Sequence, residues 1–230
     1  MSKSKVQEGD IVLRGERGDD ESEFIGKVSG CDYSHAGIVA RDAKGDLVVV
    51  DAYPGRGSAK AKNKNAVGAN PVDDFFCGHG ATHGLVGRPK DCVKAQAAAK
   101  WAMGQTKDPD YNFDLWDPWN NDPKELYCAD FVHQSYQNAG LDIVPIKTDL
   151  LDAAHRGATI SEARKMAAKD TRLAKFASDS RIEAELRSRT GGSSEYITPC
   201  QVGVNADTQT AVVYESPAAA AGKGGKKGAP

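Results

Sequence analysis

Long apolar runs are missing from this 230-residue chain, and no stretch reaches the roughly 20 residues that a membrane helix needs. A surplus of one charge is missing too: 30 basic residues stand against 32 acidic ones, a formal net charge of −2. That balance gives no sign of a nucleic-acid or anionic-membrane partner. The amino terminus, MSKSKVQEGD, has no apolar segment behind its lysines, so no secretory leader is expected and synthesis in the cytoplasm is. Cysteine is sparse. Cys31, Cys77, Cys92, Cys128 and Cys200 are odd in number and widely scattered, a pattern that predicts free thiols in a reducing compartment rather than a disulfide framework. What remains is an ordinary globular composition, long enough for one sizeable core and one domain.

The organisation follows from the residue patterns. EGDIVLR (8–14) reads as a turn and a short strand, and the polar stretch 15–32 as a loop. SHAGIVARD (34–42) and GDLVVVDAYPG (45–55) are rich in strand formers around a polar turn, which predicts an antiparallel hairpin. Residues 55–70, small and basic without a period, read as a surface loop, and THGLVGRPK (82–90) as a third strand. Asp91 can cap a helix over 91–105, with Val93, Ala97 and Trp101 recurring at i, i+4 and i+8. A second helix starts at Cys128: Phe131, Val132, Ser135, Tyr136 and Ala139 continue its apolar face, and Gly140 ends it. Residues 148–190 are charged and helical, with a capping box expected from Thr159 to Glu162. Residues 196–215 return to strand-like composition, and the Ala/Gly/Lys tail 217–230 is expected to be disordered.

Cys128 raises the chemical question. Most buried cysteines are small apolar residues. A thiol becomes a nucleophile when a helix amino terminus and a nearby imidazole favour its anion. Cys128 has the helix position, and His35 is the best-placed imidazole, on a short strand of the hairpin. A third polar group should orient the ring, and Asp51, closing LVVVDA on the neighbouring strand, can reach across. A carboxylate ending an apolar strand needs a partner in any case. On spacing alone this Cys–His–Asp set competes with the plain reading of a core thiol.

Read in order, GDIVLRG, SHAGIV, VVVDA, an Ala-rich helix, YNFD and YCADFVHQSYQNAGLDI resemble the circularly permuted NlpC-type, papain-like hydrolases, the group that includes the YiiX and YaeF proteins. The late ITPCQV resembles the Pro-initiated segment that follows the cysteine helix in that family. The resemblance implies an α+β papain-like fold: an antiparallel sheet with packed helices in a domain over 1–216, elaborated by a helical insertion at 148–195. It implies Cys128 as nucleophile, His35 as general base and Asp51 as orienting acid, although many relatives carry Glu at the third place. It implies an oxyanion held by the Cys128 backbone N–H, and a substrate pocket lined by Tyr127. No cofactor is called for.

The substrate class that this resemblance implies is the peptide of peptidoglycan, cleaved at an amide bond through a thioester acyl-enzyme. A leaderless chain of this kind resembles antibacterial effectors delivered by a type VI secretion apparatus to the periplasm of a target cell, with an immunity protein as a further partner. On the same fold, a lipid acylhydrolase or acyltransferase is the alternative. A non-catalytic binding module is another, stabilised by zinc if Cys77, His79 and His83 of CGHGATH act together. Those histidines read more simply as residues of a Gly-rich loop, with His83 the runner-up base. No metal site is expected. Trp101, Trp116 and Trp119 read as core or loop anchors, and Cys31, Cys92 and Cys200 as packing thiols.

Overall fold

The computed structural model describes residues 6–16, 20–53, 66–78, 80–108, 112–113, 125–144, 148–169, 178–189, 195–203 and 208–215. The basic segment 55–65, His79, Trp116, Trp119 and the 217–230 tail lie outside the described residues.

A strand whose side chains alternate between two apolar faces serves a sheet covered on both sides, and β1 (Ile11–Glu16) is such a strand. Ile11 and Leu13 enter one core cluster and Val12 the other. β2 (His35–Arg41) and β3 (Leu47–Ala52) form the expected antiparallel hairpin, closed by a turn in which Asp42 accepts from the backbone N–H groups of Lys44 and Asp46. β4 (Val67–Pro71) pairs with β3, so the carboxyl end of the stretch expected to be a loop is a strand. β5 (Ala81–Pro89) and β10 (Thr208–Glu215) complete an antiparallel sheet in the order β10-β5-β1-β2-β3-β4. The family-type α+β fold expected from the sequence is the fold observed.

The faces are covered unequally. On one, α2 (Val72–Cys77) supplies Val72, Phe75 and Phe76 to the smaller cluster. On the other, α3 (Cys92–Gln105) and α4 (Cys128–Asn138) pack on β2 and on each other. Asp91 caps α3 by accepting from the Lys94 N–H. The buried face of α3 is Ala95, Ala98, Ala99 and Ala102, whereas Val93 is 73% exposed. Of the expected stripe, Val93 and Ala97 are exposed and Trp101 packs against the core. A face of alanines lets α4 and the sheet come close, and that gain outweighs burying one valine.

Two further expectations give way. The polar stretch 15–32 contains α1 (Asp20–Ser29), in which Ile25 is buried at helical spacing from Ser22. The cysteines expected to be free include a pair: Cys31 and Cys200 form a disulfide. Their 169-residue separation hid it, because only the fold brings them together.

The segment from 148 leaves and returns at one place, where the two-residue strands β8 (Thr148–Asp149) and β9 (Glu195–Tyr196) pair antiparallel. Within it lie α5 (Arg156–Lys169) and α6 (Asp179–Arg189). Lys27 of α1 reaches Glu162 of α5 at 3.3 Å. Thr159 does not cap α5: it lies inside the helix and its hydroxyl donates to the Leu150 carbonyl. Asp152 accepts from the N–H groups of Ala154 and His155 just ahead of the helix. A capping box does form elsewhere, at α7 (Pro199–Gly203): Thr198 Oγ1 accepts from the Gln201 N–H while Gln201 Oε1 accepts from the Thr198 N–H.

Candidate active site

α4 begins because Tyr127 is extended and Cys128 is the first residue with helical geometry. It ends on Gly140, whose φ of 73° suits the left-handed turn that follows. There the Gly140 N–H donates to the Gln137 carbonyl and the Leu141 N–H to that of Tyr136. Phe131, Val132 and Tyr136 are wholly buried, so one apolar face locks the helix and with it the position of Cys128. Just upstream, β6 (Asn112–Phe113) and β7 (Glu125–Leu126) pair in parallel, which fixes where the chain enters Tyr127.

His35 opens β2, and its Nε2 donates to Asp51 Oδ2 on β3 at 2.7 Å. Both side chains are buried. The ring stacks on Phe75 (centroids 5.6 Å apart) and meets Tyr53 edge-on at 5.2 Å. With Nε2 committed to the carboxylate, Nδ1 is the nitrogen that can take a proton. Gly37, two residues beyond His35 on β2, lets the strands close here: a Cβ there would stand 2.5 Å from a Val49 methyl and 3.3 Å from the Asp51 Cβ.

Cys128 is buried against the same strand. The backbone N–H groups of Ala36 and Ala129 lie close enough to its sulphur to favour the anion, but burial dominates and pushes the thiol up to about 12. Asp51 pushes it the same way, and Arg14 opposes. Burial likewise lowers His35, against the hydrogen bond to Asp51 that raises it. Burial thus works against charge on both groups, while the Asp51 hydrogen bond and the backbone N–H groups work for it. Among the described residues, the pair joined directly is His35 and Asp51, and no hydrogen bond links the His35 ring to the Cys128 sulphur. Tyr127, expected at the pocket wall, is 2% exposed, and its hydroxyl accepts from the Ile197 N–H at 2.9 Å.

Sequence reasoning missed a charged group here. Arg14 is in register with His35 across β1 and β2 and is 1% exposed. Its guanidinium donates to Glu16 at 2.6 Å and to the Phe75 carbonyl at 3.1 Å, and it lies 4.8 Å from the centroid of the Phe75 ring. Ser22 of α1 donates to the same Glu16 carboxylate. The signal was present in IVLRGE, where a buried cation in an apolar strand demands a partner, as it did for Asp51.

The rival residues fall elsewhere. His83 Nε2 donates to the Asp32 carbonyl, Nδ1 engages Thr82, and the ring packs where a Gly15 Cβ would be. Cys77 and Cys92 are exposed and outside the disulfide. His133 pairs with Asp142 at 3.1 Å. Trp101 packs near Phe131, with centroids 6.1 Å apart.

Residues 5–184 match the family of permuted papain-like amidase enzymes described as YaeF/YiiX, C92. The chain belongs to this amidase family. The match runs through α5 and into α6. The crystal structure of metalloprotein YiiX from Escherichia coli O157:H7 superposes with a TM-score of 0.59 at 20% identity, covering 93% of this chain and 99% of that one. That likeness is one of fold. No curated protein matches the chain. "Metalloprotein" describes that relative. In this permuted amidase, no group of three or more His, Cys, Asp or Glu among the described residues is arranged to hold a metal ion.

Proposed function

We propose that this permuted papain-like amidase is a cysteine hydrolase that opens an amide bond in peptidoglycan peptides, with Cys128 as nucleophile, His35 as base and Asp51 as its orienting acid. The observation that carries the reading is the buried His35–Asp51 hydrogen bond on the strand whose backbone meets the Cys128 sulphur. Asp51 holds Nε2–H, so Nδ1 is left to accept the thiol proton as sulphur attacks the carbonyl carbon. Negative charge then develops on the carbonyl oxygen at the amino end of α4, where the first N–H groups of a helix have no intrahelical acceptor. The imidazolium returns its proton to the leaving amine, and a thioester remains. Water, deprotonated by the same nitrogen, releases the acid and restores the thiol.

The Cys31–Cys200 disulfide supports work in an oxidising compartment, where such bonds persist. This fits delivery to a target cell's periplasm, with an immunity protein guarding the producer. The test is digestion of purified peptidoglycan, with muropeptides resolved by mass. Cys128→Ala is expected to remove all cleavage, and digestion that survives it sinks the proposal. Fatty acid released from phospholipid vesicles, with muropeptides intact, would move the same chemistry to a lipid substrate.

A further inference from the structure

The nucleophile and the base sit on different elements, and one short segment is tied to the neighbours of both. Ile197 donates its N–H to the hydroxyl of Tyr127, the residue immediately before Cys128. Three residues later, Cys200 on α7 is bonded to Cys31, in the short connection that leads from α1 into His35. The connection has its own tether, since the Ser34 N–H donates to the Arg14 carbonyl. Between the two ties the segment is stiff: Thr198 and Gln201 cap each other's backbone, and Pro199 starts the helix. Its far end is wedged against the sheet. A Cβ on Gly203 would stand 2.4 Å from a Leu13 methyl, and one on Gly87 2.2 Å from the Gly203 carbonyl oxygen. α7 packs on β1, β2, β5 and α4.

We propose that Cys31 and Cys200 are positioning residues for the active site: through the Ile197–Gly203 segment, their disulfide sets the His35 strand against the Cys128 helix. The amidase is competent with the bridge closed and poor with it open. This rests on the catalytic reading above and adds regulation to it. Closure takes two protons and two electrons from the two thiols. A disulfide of the oxidised-glutathione class accepts them by thiol–disulfide exchange and leaves as two thiols. A chain still reduced where it is made is held back, and one that reaches an oxidising compartment is switched on. A staple that only stabilised the fold would raise the melting temperature and leave the relation between base and nucleophile untouched.

The test measures that relation without any substrate. Alkylation of Cys128 by iodoacetamide is followed by mass spectrometry at neutral pH, with and without His35→Ala. The forms compared are the oxidised chain, the Cys31→Ser/Cys200→Ser double variant, and a Tyr127→Phe variant that keeps the bridge but loses the second tie. Circular dichroism establishes that each form is folded. In the oxidised chain, removing His35 is expected to slow Cys128 by about tenfold, an ordinary coupling for interacting residues. In the double variant the factor is expected to fall to about twofold or less, with Tyr127→Phe in between. An equal factor in the oxidised chain and a folded double variant overturns the proposal. If the double variant does not fold at the assay temperature, all forms are compared at a lower temperature where it does, and an equal factor there overturns the proposal; Tyr127→Phe, which keeps the bridge, reads the second tie alone. Failure of the amidase reading shows separately, as an oxidised wild-type chain that leaves muropeptide amides intact.

Discussion

At the scale of single residues, the group to follow is His35, the proposed base. Burial lowers its affinity for that proton, the Asp51 hydrogen bond raises it, and the Arg14 cation lowers it again. On the proposed mechanism His35 must be neutral to act, so the rate should rise with pH through a value below the ordinary 6.5 and be flat at neutrality. Arg14→Met removes the opposing cation and should move this acid limb to higher pH, as a pH profile of initial rates would read directly. It also leaves Glu16 buried without its cation, at a cost of about 3–5 kcal/mol in stability, so profiles belong at temperatures where the variant is folded. The stability sign follows from the same shift. The unfolded chain holds this proton more tightly than the native one, so native stability is lost as pH falls below 6.5.

At the scale of elements, α3 shows how packing overrides an apolar count. Four alanines face α4 and the sheet, and the bulkier Val93 faces water. Ala99→Leu should therefore overpack the interface and cost about 1–3 kcal/mol, while Val93→Ser should stay within about 0.5 kcal/mol of the parent. Urea titration of the two variants separates these outcomes, and equal losses would mean that the faces have been misassigned. The helix caps teach a related lesson. Thr159 and Glu162 have the right spacing for a capping box, but the Thr159 hydroxyl goes to Leu150 and Glu162 to lysines. Thr198 and Gln201 have the same spacing and form the box because Pro199 stands at the first helical position.

At the scale of the whole molecule, the Cys31–Cys200 bond closes most of the chain into one loop. Loop entropy assigns such a closure about 5 kcal/mol of stabilisation, which for this length corresponds to a melting temperature lowered by roughly 10–20 °C on reduction. Differential scanning calorimetry with and without a phosphine reductant measures it. A shift of a degree or two would mean that the unfolded chain is already constrained in other ways. The bond also joins the connection after α1 to α7, from distant parts of the sequence.

What local chemistry decides can be read from the residues in order. The β2–β3 hairpin follows from its strand formers and polar turn, and the α3 cap from Asp91. The α4 helix follows from its apolar period and its terminal glycine. His35 and Asp51 were legible as partners because antiparallel neighbours in a hairpin are close in space whatever the rest of the chain does. Only the tertiary structure decided the features that depend on distant segments. These are which face of α3 is buried, where Arg14 finds Glu16 and Phe75, and that Cys31 meets Cys200. It also decided how deeply Cys128 is buried. A helix terminus and an imidazole favour a thiolate wherever they stand, but the cost of removing its charge from water is set by how the whole molecule closes over it.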